Sequence, residues 1–67
     1  LNKKEIQELS PEKLLNAFYW LAVRTTHEVN SKRGLTKQTV KDEDLILNEL
    51  ASKFGINRDF LKDGIDR

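Results

Sequence analysis

After Ser10-Pro11-Glu12, neither glycine nor proline recurs until Gly34. In a chain of 67 residues that unbroken stretch constrains everything else that can be built. Serine can cap a helix, proline suits its first position, and glutamate complements its dipole. Glycine at position 34 suits a left-handed terminating residue. The segment Pro11–Arg33 is therefore expected to be one helix, about 34 Å long.

At about 100° per residue this helix has two faces. Leu14, Leu15, Phe18, Leu21, Ala22 and Val29 share one side, with Tyr19, Thr25 and Thr26 at its borders. The other side carries Lys13, Asn16, Trp20, Val23, Arg24 and His27. Beyond Val23 the apolar side thins to Val29, so the last turns are expected to be weakly anchored.

A helix of this length needs partners. With 37% apolar residues, one proline and no cysteine, the chain can bury a modest core but has no disulfide or thiolate metal site to staple it. Asn2–Leu9 is short and polar, with Leu1, Ile6 and Leu9 as anchors, and is expected to form one or two helical turns. Leu35–Lys41 reads either as a helical turn capped by Thr36 or Thr39 or as an extended link. Asp42, Glu43 and Asp44 are expected to open the next helix, where Ile46, Leu47, Leu50, Ala51 and Phe54 fall within one arc and Gly55 stops it. Leu45 lies outside that arc. Asn57 can cap a last helix, Arg58–Asp63, terminated by Gly64.

No strand pattern or internal repeat occurs. The expectation is an all-α fold, a small bundle of three to four helices with one long helix, forming a single domain over residues 1–67. Its expected core is Leu14, Phe18, Leu21, Ala22, Ile46, Leu50, Phe54, Phe60 and Leu61. No apolar run approaches a membrane span and no signal-peptide pattern occurs, so a cytoplasmic protein without a membrane role is expected. A chain that begins at Leu1 and contains no methionine reads as trimmed from a longer reading frame.

Net charge is +1, far from the strongly basic balance of a dedicated nucleic-acid binder. The distribution is less even: Arg24–Lys41 holds five bases and one acid, Asp42–Glu49 four acids and no base. One reading is a patch for an anionic partner. The favoured reading is dipole compensation, with Lys32 and Arg33 closing one helix and Asp42, Glu43 and Asp44 opening the next.

Leu50-Ala51-x-x-x-Gly55-Ile56 followed by a short helix has helix-turn-helix spacing. As a DNA reader it would present Asn57, Arg58 and Lys62 to the groove, with Lys32, Arg33, Lys37 and Lys41 on phosphates. Asp59 and Asp63 would face those phosphates with the wrong sign. The stretch Leu50–Gly64 resembles the last two helices of lambda-repressor/Cro-type helix-turn-helix domains, where Leu-Ala-x-x-Phe-Gly-Val-Ser leads into a short closing helix. Arg33-Gly34-Leu35-Thr36-Lys37-Gln38 is similar to the turn between that family's first and second helices. Between Gln38 and Asp44 there is no room for the family's second helix and recognition helix. The resemblance thus implies a regulatory protein of phage- or plasmid-like bacterial origin more than it implies DNA binding.

Trp20 stands on the polar side of the long helix, beside Asn16, Arg24 and His27. Burial beneath Leu1, Ile6 and Leu9 is one reading, since so short a fold needs its apolar area covered. These neighbours favour the other, a half-exposed indole in a protein contact made by Trp20, Arg24, His27 and Asn16.

Catalysis finds little support. His27 is the only histidine, too few for a zinc site, and no Ser-His-Asp arrangement can be argued. Asp42-Glu43-Asp44 has the first spacing of a calcium loop, but Ile46 occupies the next ligand position. No cofactor and no small-molecule substrate are expected. The expected function is a small non-enzymatic regulator acting through protein contacts: an inhibitor, repressor modulator or assembly factor. The alternatives are a DNA-binding helix-turn-helix regulator and a scaffold domain cut from a larger protein. The second aromatic face and thin helix end also suggest a homodimer, or a heterologous partner in the same role.

Overall fold

The computed structural model describes residues 2–63. Four helices follow in chain order: α1 (Lys3–Glu8), α2 (Pro11–Val29), α3 (Lys37–Phe54) and α4 (Arg58–Asp63). Every described element is helical. Helix α3 is the centre of the assembly, packing against α2, α1 and α4.

Each start has a chemical cause. Asn2 caps α1 by accepting from the Glu5 N–H at 2.9 Å, and its side-chain amide donates to the Glu5 carboxylate at 2.7 Å. Ser10 caps α2 by accepting from the Lys13 N–H at 3.3 Å, with Pro11 in the first turn. Thr36 caps α3 by accepting from the Thr39 N–H at 3.2 Å. Asn57 accepts from the Asp59 N–H at 2.7 Å at the start of α4. Gly55 ends α3 in the left-handed region (φ 65°), where its N–H donates to Ala51.

Two boundaries differ from expectation. Helix α2 stops at Val29, a turn before Arg33, so Lys32 and Arg33 lie beyond its last turn. Helix α3 starts at Lys37, so Asp42, Glu43 and Asp44 sit inside it and its first turn holds no acid. One tertiary contact accounts for both. The Glu28 side chain accepts from the Thr36 N–H at 2.8 Å and from the Thr39 hydroxyl at 2.6 Å. Drawing Thr36 against Glu28 forces the chain to turn from Asn30, and satisfies donors at the new helix start. The bundle therefore has two long helices.

The core is Ile6, Leu14, Leu21, Ile46, Leu47 and Leu50, with Leu9, Ala17, Phe18, Leu45 and Leu61 packed on it. Of the expected core, Leu14, Leu21, Ile46 and Leu50 are buried, while Phe18, Ala22 and Leu61 are half-buried. Phe54 and Phe60 are corrections: both are exposed, Phe60 at 71%. Phe54 is the last residue of α3, where the helix ends at Gly55. Leu15 and Val29, placed on the core side of α2, are also exposed, while Thr25 is fully buried. A single long neighbour covers a narrower arc than a bundle would, and that arc centres on Leu14, Leu21 and Thr25. Leu1 and Gly64, read as an anchor and a terminator, lie outside the described residues, as does the Asp63 side chain. Among the described residues, no helix is long and apolar enough to cross a membrane.

Candidate functional site

The wall of α2 that α3 leaves uncovered forms one side of an open groove of about 570 Å³. Ala17, Leu21 and Ile46 contribute apolar lining, and Trp20, Val23, Arg24, His27 and Glu28 complete it. The helical repeat explains the gathering: Trp20, Arg24 and His27 stand three and four residues apart and so share a stripe. Trp20 is 58% exposed and meets the Tyr19 ring edge-on, with centroids 5.3 Å apart and planes at 78°. Burial of the indole beneath Ile6 and Leu9 does not occur, because Ile6 is spent on the core.

Three of the four residues read as a contact surface, Trp20, Arg24 and His27, thus line one concavity. Asn16 is exposed on α2, one turn before Trp20, and is not part of the lining. Val23, Glu28 and Ile46 belong to the groove without having been assigned to it. Val23 could have been found, since it shares the outward face with Trp20; Ile46 could not, because its contribution depends on how α3 crosses α2.

Electrostatically, the groove is quiet. Arg24 donates to the Asp42 carboxylate at 2.7 Å and lies 3.9 Å from that of Glu28, so its charge is compensated within the fold. Asp42 is buried and also accepts from the Gln38 amide at 2.9 Å. Burial pushes the Asp42 carboxyl up, but hydrogen bonds from Arg24 and Gln38 outweigh that and hold it below its ordinary value. The Thr39 hydroxyl, then the Thr36 backbone N–H, lower the Glu28 carboxyl against a smaller opposing effect of burial. These acids organise the helix pair. An apolar floor with a half-wet aromatic rim is suited to receiving apolar side chains.

The residues assigned to DNA fall into two groups. Asn57 uses its side-chain oxygen as a cap, and Arg58 is ion-paired with Asp44, while Lys62 is exposed on α4. Lys32, Arg33, Lys37 and Lys41 are exposed around the α2–α3 connection. Among the described residues, no cluster of three or more histidines, cysteines or carboxylates could hold a metal ion.

No protein-family model, curated protein or solved structure matches the chain.

Proposed function

We propose that this chain is a small non-enzymatic regulatory module that binds another protein through the α2 groove. The observation that carries the reading is Trp20, largely exposed yet standing on the rim of an apolar groove. A tryptophan in that position adds a large rigid contact area at little entropic cost, and such residues dominate binding energy where they occur at interfaces. The compensated charge of Arg24 supports the same reading, since an electrically quiet concavity disfavours a polyanion and suits a side chain of low polarity.

A photo-crosslinking residue at position 23, inside the groove, tests this in the cells that make the protein. A discrete protein adduct is expected from position 23, absent from position 52 on the outward face of α3 and abolished by Trp20→Ala. An adduct of twice the chain mass would identify the partner as a second copy. Equal labelling from both positions would overturn the proposal.

One observation favours the DNA-binding alternative: α3 and α4 are joined through a left-handed Gly55, as in a helix-turn-helix connection. Against it, Asn57 and Arg58 are already engaged with Asp59 and Asp44. Titration with mixed-sequence duplex at low salt separates the readings, because phosphate-driven binding falls steeply as salt rises.

A further inference from the structure

The corner between α2 and α3 is unbalanced in charge. Lys32, Arg33, Lys37 and Lys41 are all exposed, and no acid occurs between Val29 and Lys41. The carboxylates around it are already engaged: Glu28 accepts from Thr36 and Thr39, Asp42 from Arg24 and Gln38, and Asp44 is paired with Arg58. Among the described residues, none of the four bases is in an ion pair. On this corner lies a shallow apolar depression of about 300 Å³, lined by Leu35, Thr36, Lys37, Val40 and Lys41. Val40 is 45% exposed there, and Lys37 and Lys41, one turn apart on α3, flank it.

We propose that this corner docks a short acidic segment of another protein, with one aliphatic side chain seated on Leu35 and Val40 and carboxylates on either side meeting Lys37 and Lys41. Two features select this occupant over nucleic acid. At the start of α3 the Glu28 carboxylate already takes the Thr36 N–H and the Thr36 hydroxyl takes that of Thr39, so a phosphate there would meet a carboxylate in its place. The patch is also short: one turn beyond Lys41 stands Asp44, paired with Arg58, so the run of unpaired bases ends there and a long polyanion finds no further partner along the helix. This surface is separate from the α2 groove and does not depend on the function proposed for it.

The test uses the full chain and a fluorescent peptide of about 12 alternating Glu and Leu residues, read by anisotropy at low and moderate salt. Binding in about the micromolar range is expected, weakening as salt rises. Replacing both lysines, Lys37→Glu with Lys41→Glu, should weaken it about tenfold or more, because each contact becomes a repulsion. Both positions are exposed and Lys37 lies in the first turn of α3, where a glutamate is suited, so thermal melts of the double variant should stay within a few degrees of the parent. Val40→Ser should weaken the Glu/Leu peptide several-fold and leave a Glu/Ala peptide unchanged. The proposal is overturned by absence of binding, by binding insensitive to the double reversal, or by Val40→Ser acting on both peptides alike. Tighter binding to duplex DNA or to phosphatidylserine vesicles than to the peptide would overturn it equally.

Discussion

At Glu28 and Asp42 the energetics are set by the donors each carboxylate receives. Both are held below their ordinary values, Glu28 by the Thr39 hydroxyl first and Asp42 by Arg24 and Gln38 against the pull of burial. A carboxyl of lowered pKa binds fewer protons folded than unfolded. Its stabilisation is therefore complete above the unfolded value, about 4, and is lost as pH falls through the folded one. Melting temperature should be level near neutrality and decline below about pH 4.5. Asp42→Asn combined with Glu28→Gln should lower stability at pH 7 and flatten that decline; a decline of unchanged steepness would place the acid sensitivity elsewhere. Trp20 is the counter-example, a large residue with little structural duty. Trp20→Ala should shift the melting temperature by no more than a few degrees, against the roughly 3–5 kcal/mol that truncating a buried tryptophan costs. In the parent, its emission should be red-shifted and readily quenched. A blue-shifted, unquenchable emission from dilute chain would show the indole to be enclosed.

At the scale of the element, the buried arc of each helix decides which substitutions matter. Leu47, fully buried on α3, should cost about 2–5 kcal/mol when replaced by alanine, whereas Leu15, 51% exposed on α2, should cost under about 1 kcal/mol. Urea titration of both variants checks the arc; a large loss at Leu15 would mean that its flank of α2 is covered in solution. Gly55→Ala isolates backbone strain, because an added Cβ would meet nothing within 4 Å while φ stays at 65°. Its cost should be about 1 kcal/mol, confined to the end of α3. These elements were unequally legible in the sequence. Ser10-Pro11, Gly55 and Asn57 announced their boundaries because capping is local chemistry carried by the residue itself. The α2 stop and the α3 start were misplaced because they are fixed by Glu28 meeting Thr36 and Thr39, eight and eleven residues further along the chain. Trp20, Arg24 and His27 could be grouped in advance because helical repeat alone aligns them. The floor beneath them required knowing that α3 brings Ile46 alongside.

At the scale of the whole molecule, stability is distributed unevenly. The buried cluster draws Ile6 from α1, Leu14 and Leu21 from α2, and Ile46, Leu47 and Leu50 from α3, so these three helices share one core. Lys53 reinforces that union by donating to the Leu9 carbonyl at 2.5 Å, tying the far end of α3 to the α1–α2 link. Among the described residues, helix α4 contributes the half-buried Leu61 to this core and an exposed Arg58–Asp44 pair, while Phe60 points into solvent. An exposed ion pair is worth at most about 1 kcal/mol, so α4 should open without the rest. Hydrogen exchange should show it: amides of Leu21 and Leu47 should exchange only through global unfolding, and that of Leu61 at a free energy several kcal/mol lower. Low urea should accelerate exchange at Leu21 and Leu47 strongly and at Leu61 hardly at all, because opening α4 exposes little surface. Equal protection of Leu61 and Leu47 would mean that α4 belongs to the cooperative core. It would also mean that Phe60 is covered in solution by something other than α1, α2 and α3.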